Sequence, residues 1–349
     1  MKKGSPVCPP TNSGTSSDVF FDRASVSFSV PPSHGFAWTG GGAQEWDKSF
    51  YVDMLIDDFC LGILPFQASE EDGGYKLELK DGDHHAEELV AKGLSPHRHG
   101  ASLATAVADW LRESAKVVLR SGLDAYELGY WIHNVERKAV GFLLIRLETE
   151  HLIWRRKRVF QRVPQGSLLD RPSFVEDRKI QESDELREID PDRIALFKAP
   201  SVLQDQIWRA LRDLAYIGGK HSAQNLMPDL SDSGSRDMPF DFSQFYKSQK
   251  EALAAATRAL GWNGRGLWDR AFSSYHSVYR YLRFRRAQMD LQTCLLTSLQ
   301  ETIQQAGRQI GFDGTLKVSG LTTMEDLDKA VRHLQAGDTS FTAIMDQIR

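Results

Sequence analysis

Between residues 102 and 120 the chain reads SLATAVADWLRESAKVVLR, and Leu103, Val107, Trp110, Leu111 and Val118 return at three- to four-residue steps. That period puts the apolar side chains on one face of a helix. Ser121 and Gly122 stop it. Similar spacing predicts a helix in QEWDKSFYVDMLIDDFCLGILPF, through Trp46, Phe50, Met54 and Ile56, closed by Pro65. Two more are predicted: Gln204–Ala223, with Ile207, Leu211, Leu214 and Ile217 on one face, and Ser243–Leu260, ended by Gly261. Other segments step by two or are rich in aromatic and β-branched residues, the signature of strands. These are VFFDRASVSFSV (19–30), YKLELK (75–80), AYELGYWIHN, AVGFLLIRLET, RVFQRVP, IDPDRIALFKAP and TLKVSG. NVERK is the turn between the first two of the central strands. From Gln67 to Asp83 the chain is polar, and the histidines that follow extend what reads as a loop.

From Leu267 to Ala306 there is neither Gly nor Pro. Trp268, Tyr275, Leu282, Met289, Leu296, Ile303 and Ile310 recur every seven residues, which predicts one long helix near 267–310. A second row, Phe272 and Tyr279, gives way to Arg286, Thr293 and Gln300, so the pattern is not a regular coiled coil. The expectation is packing through one narrow seam. Inside this segment lies YRYLRFRR, Tyr279–Arg286, which alternates as a strand would. A strand there would break the helical run at its middle. Helical spacing instead sends Arg280, Arg283, Arg285 and Arg286 to different sides. Such a helix suits crowded neighbours, because arginine buries its stem and forks to a carboxylate. Contact with a nucleic-acid backbone is the other reading.

Toward the end, Thr322 and Glu325 predict a capping box for a helix ending at Gly337, and Ser340 a cap for a last short helix. The architecture expected is α+β: mixed strands in the middle of the chain, several amphipathic helices and one long helix in the C-terminal half. Residues 1–18 read as a disordered tail, 19–230 as a mixed α+β domain, and 231–349 as a mainly helical region with a small strand–helix end.

Composition adds bounds. The chain has 349 residues, 41% hydrophobic and 26% charged, as a globular protein does. No apolar run approaches a membrane span, and no apolar segment follows Lys2 and Lys3 as in a secretory signal. Cys8, Cys60 and Cys294 are far apart and odd in number, which argues against a disulfide framework or zinc knuckle. Cys60 and Cys294 read as small core residues. Net charge is −4, yet the charge is polarised. His151–Pro164 holds Arg155, Arg156, Lys157, Arg158 and Arg162 with no acid, whereas Asp170–Asp192 holds nine acids against four bases. The run at 154–163 has the composition to grip phosphates; its plainer reading is a strand or turn balanced by the acids that follow.

Candidate chemistry is sparse. His84, His85, His97 and His99 lie near Asp81 and Asp83 but show no metal-ligand spacing, so no metal is expected. GGKHS (218–222) departs from a Walker A loop, and no G-x-S-x-G is present. No cofactor and no catalysis are expected, although acids and histidines brought together only by the fold remain a rival. A pocket joining His97, His99 and nearby carboxylates would favour that rival.

The order of features from about residue 44 resembles the portal proteins of tailed bacteriophages. A helix precedes the aromatic-rich pair LDAYELGYWIHN and VGFLLIRL. FQRVP, a strand ending in proline, leads on to IDPDRIALFKAP; then come the helical IWRALRDLAYIGGKHSAQNL and a long helix. The resemblance implies an α+β subunit of a closed homo-oligomeric ring without catalytic residues of its own. It also implies passage of double-stranded DNA, and capsid protein, packaging motor and head–tail connector as partners. The setting would be the virion, assembled in host cytoplasm, with no membrane. Arg280, Arg283, Arg285, Arg286, Arg155, Arg156 and Arg158 are then the candidates for nucleic-acid or subunit contact. The alternative is a nucleic-acid-binding adaptor of a mobile element or defence system.

Overall fold

A computed structural model describes residues 19–23, 25–29, 49–64, 75–80, 83–98, 100–155, 158–163, 185–220, 242–264, 274–340 and 343. The expected tail, 1–18, lies outside them. Those residues form an α+β fold whose centre is β4 (Leu123–His133), an eleven-residue strand. β5 (Ala139–Leu147) pairs antiparallel along one edge of it. The other edge is shared end to end: β1 (Val19–Asp22) pairs with Tyr130–His133, and β9 (Ile194–Lys198) with Leu123–Glu127. A second antiparallel sheet runs β2 (Ser25–Ser29), β8 (Glu185–Ile189), β7 (Arg158–Val163), β6 (Leu152–Arg155). A small cluster of Ala125, Leu147, Leu152, Val159 and Ile189 joins the two sheets. β3 (Lys76–Leu79) and β10 (Leu316–Ser319) make a separate antiparallel pair.

The opposite face of β4 carries Tyr126, Leu128 and Tyr130 into the main core. There it meets α1 (Phe50–Leu61), α2 (His84–Leu94), α3 (Leu103–Ser121), α4 (Ser201–Lys220) and the long α6 (Ser274–Ile310). β4 is therefore buried on both faces, and its apolar run is broken by Asp124 and Glu127, each held by an arginine. α5 (Phe242–Ala256) adds Leu253, and the turn after it Leu260 and Trp262, so one core joins residues on both sides of position 231.

Several expectations need correction. The stretch 19–30 is two strands in two sheets, not one. The polar stretch with His84 and His85 is not a loop but the start of α2. Asp83 accepts from the His85 N–H at 3.0 Å, and Ala86, Leu89, Val90 and Leu94 are buried. Gly93 lets this helix close on β5, because a Cβ there would stand 2.7 Å from the Phe142 ring. Leu152–Arg155, read only in part as a strand or turn, and Glu185–Ile189, at the end of the acidic stretch, are strands too.

The single seam of α6 is also corrected. A straight helix drifts by about 20° per seven residues, so a strict heptad row cannot stay on one side. Leu282 and Met289 pack on α7 (Met324–Ala336), beside Leu327, Ala330 and Leu334. Three heptads after Leu282, Ile303 faces the main core. A second stripe, Phe284, Ala287, Leu291, Leu295, Leu299 and Ala306, lies in that core too. The helix is thus wedged between neighbours on two faces.

The cap of α7 sits one residue later than expected. Thr323 Oγ1 accepts from Asp326 N–H at 3.2 Å, and Asp326 accepts from Thr323 N–H at 3.0 Å. Gly337 ends the helix as expected, with φ 76°. Thr323→Ala is expected to cost about 1 kcal/mol in urea unfolding, and Thr322→Ala nothing measurable. Equal effects would contradict this cap.

Candidate nucleic-acid interface

α5 ends at Ala256 and the chain turns through residues 257–261, leaving carbonyls without helical partners. Arg280, on the second turn of α6, takes them up. Its side chain is buried, with 7% of the residue exposed. Nη1 donates to the Ala254 carbonyl at 3.0 Å, and Nη2 to Thr257 Oγ1 at 3.0 Å and the Trp262 carbonyl at 2.6 Å. Nε donates to Asn263 Oδ1 at 2.9 Å. One turn on, Arg283 Nη1 donates to the Arg258 carbonyl at 3.1 Å. Two guanidiniums therefore cap the end of α5, where the helix dipole favours a cation.

α1 is capped in the same manner. Arg285 Nη1 donates to the Gly62 carbonyl and to Gln288 Oε1. Gln288 Nε2 donates to the carbonyls of Asp58 and Phe59, each at 3.1 Å, and Gln292 Nε2 to that of Ile63 at 2.6 Å. Residues 285, 288 and 292 share one face of α6, so a row of polar donors rides down the end of α1. Trp262 closes the arrangement, donating from Nε1 to Asp58 Oδ2 at 3.0 Å.

The expected fork to carboxylates is thus found only at Arg286, which meets Asp328 at 3.1 Å on the surface. Arg280 and Arg285 are spent on neutral acceptors inside the chain. Burial holds the Arg280 guanidinium below its ordinary value, and the positive charges of Arg283 and Arg258 push the same way. Burial likewise lowers Arg285, partly offset by Tyr281. The sequence is consistent with this positive local field. Residues 252–264 and 274–289 contain no Asp or Glu, while together they contribute Arg258, Arg280, Arg283, Arg285 and Arg286.

Of the candidate arginines on this helix, the structure leaves Arg283 and Arg286 at the surface. Arg283 lies 5.6 Å from the centre of the Tyr279 ring, itself 38% exposed. Beside them stands a residue that sequence reasoning missed, the exposed Arg258. It is a single arginine on a helix that reads as ordinary, and only the α5–α6 contact gives it company.

The second basic stretch spans the β6–β7 hairpin, with Arg155 opposite Arg158 in register. Arg156 and Lys157, and the side chain of Arg155, lie outside the described residues. Arg158 is exposed and pairs with Glu188 at 3.4 Å. β8, from the acidic segment, lies alongside β7, so acids balance this strand as its plainer reading holds.

A cleft of about 530 Å³ between α1, the end of α2 and α3 joins His97 to Asp57, Asp109 and Glu113. His99 lies outside the described residues. Asp109 is paired with Arg98 and Arg112, and Glu113 with Lys116. Cys60 borders the cleft, and burial pushes its thiol up to about 12, so it stays protonated at neutral pH. The cleft is an ion-paired groove in which, among the described residues, the exposed His97 ring is the one imidazole. The buried acids elsewhere, Asp124 and Glu127, are held by Arg146 and Arg23. Their positions alternate on β4, so they face opposite sides and form no dyad. Among the described residues no group of three or more His, Cys, Asp or Glu is placed to hold a metal ion. Nor is any helix among them long and apolar enough to cross a membrane.

No protein-family model and no curated protein matches this chain.

Proposed function

We propose that the chain is a portal-like structural subunit that forms a closed ring for passage of double-stranded DNA into and out of a phage capsid, with no catalysis of its own. Its partners on this reading are further copies of itself, DNA, capsid protein, the packaging motor and head–tail connectors, within a virion assembled in host cytoplasm. One observation carries the reading. The 37-residue α6 is fixed to the body by its buried Arg280 and half-buried Arg285, and its acid-free start still offers guanidiniums at the surface of a chain with net charge −4. A rigid helix with a local positive surface suits a wall beside a polyanion. Head-to-tail contacts between copies close into a ring when the rotation allows.

The same observation fits a nucleic-acid-binding adaptor of a mobile element or defence system, which would act as a monomer or dimer. Mass in solution separates the two. Light scattering at high protein concentration, with and without duplex DNA, is expected to give a closed oligomer many times the 39.4 kDa chain mass, seen as rings in negative-stain images. A monodisperse monomer or dimer under both conditions would rule the ring out and leave the adaptor.

A further inference from the structure

We infer that Arg258 and Arg283 form a contact site for the phosphate backbone of duplex DNA, with Tyr279 holding the Arg283 fork in place. The partner rests on the proposed function; the site rests on four features of the α5–α6 junction. Both side chains are exposed, and among the described residues neither has a carboxylate partner. They come from different elements but are fixed together, because Arg283 donates to Arg258's own carbonyl. Behind them Arg280 adds a buried positive charge whose four acceptors are all neutral. Partial charge at the end of α5 offsets these three cations only in part.

Among the described residues, the acids nearest to this group along the chain stand apart from it or are already paired. Glu251 lies nearly two turns back on α5, and Asp290 follows a full turn after Arg286 on α6. Asp58 accepts from Trp262, and Asp328 is paired with Arg286. Arg283 uses one nitrogen on protein and stacks beside Tyr279, which leaves the rest of a pre-oriented fork for a phosphate oxygen. No base edge is read by such a surface, so binding is expected to be independent of sequence. Arg280 is excluded as a contact because its donors are taken by protein, and Arg285 because its Nη1 is taken and its Nε is buried.

The test uses the full chain and a short fluorescein-labelled duplex of mixed sequence, followed by anisotropy between about 50 and 200 mM salt. Arg258→Ala with Arg283→Ala is expected to make the slope of log affinity against log salt shallower by about 2, and to weaken binding at least roughly tenfold at the middle of that range. Arg258→Glu leaves the Arg283 cap in place, so it checks that any loss is not misfolding; it is expected to weaken binding by at least as much as Arg258→Ala alone. Lys92→Ala with Arg332→Ala, on other exposed surfaces, is the charge-matched control. Equal slopes for the two double variants would overturn the site. So would tighter binding of a single strand, or full displacement of duplex by millimolar inorganic phosphate at constant ionic strength. Mass is measured on the same samples. A ring whose duplex affinity ignores these arginines removes the site and keeps the ring, and a monomer that depends on them does the reverse.

Discussion

Arg280→Ala is expected to destabilise the protein by about 3–5 kcal/mol, read from the urea midpoint at unchanged slope. The guanidinium meets two carbonyls, a hydroxyl and an amide oxygen at the end of α5, and only 7% of the residue is exposed. Truncation takes the donor from the Ala254 carbonyl and Asn263 Oδ1, leaves the Trp262 carbonyl with Thr257 Oγ1 alone, and opens a gap between α5 and α6. Each buried acceptor left unmade costs about 1–3 kcal/mol, and water reaching the gap recovers part of that. Arg280→Lys restores the charge but not the planar fork, so it is expected to recover less than half of the loss. A stability within about 1 kcal/mol of the parent would show that the arginine is not a structural cap. Unchanged stability joined to weaker DNA binding would return Arg280 to the set of direct contacts.

That prediction differs in kind from what the arginine-rich segment suggests by itself. Periodicity places YRYLRFRR in a helix, and the helix is there. Arginine on several sides implies crowded neighbours, and the neighbours are α5, α1 and α7 of the same chain. The nature of the acceptors was not legible. Backbone carbonyls have no letter in a sequence, so a search for partners of arginine finds Asp and Glu and overlooks the end of a helix. Arg258 was hidden for a related reason: its role comes from a contact between segments more than twenty residues apart.

The missed elements share a cause as well. α2 opens on two histidines and two glutamates, so its first turn reads as polar loop, and its apolar residues are mostly Ala, Val and Leu over a short span. β8 lies in an acidic stretch, and its Glu188 meets Arg158 of the basic β7 beside it, a pairing decided in three dimensions. By contrast β4, β5 and α3 were plain, since their patterns arise from burial against one large core. The one-residue error at α7 shows how little separates Thr322 from Thr323 in letters. The choice falls to Thr323 because its backbone and side chain both meet Asp326.

Gly261→Ala is expected to cost about 3 kcal/mol or more, from two separable causes. The residue has φ 79°, where an L side chain costs about 1–2 kcal/mol. A Cβ would also lie inside contact distance of the Arg280 carbonyl oxygen, 2.9 Å from Arg283 Cβ and 3.1 Å from the Arg280 carbonyl carbon. Those atoms are backbone and the root of a side chain in the middle of a helical segment, so they cannot swing aside. The chain after α5 would have to move away from α6, drawing Trp262 and Ala254 off Arg280. Gly337→Ala is the comparison, because its φ is 76° but nothing lies within 4 Å of the added carbon. It should show the conformational cost alone, about 1–2 kcal/mol. If Gly261 matters through the same contact as Arg280, their losses overlap: the double variant should fall short of the sum by about 1–3 kcal/mol. Additive losses would mean that the turn and the buried arginine act independently, and that the tight approach of α5 to α6 is not what seats the guanidinium.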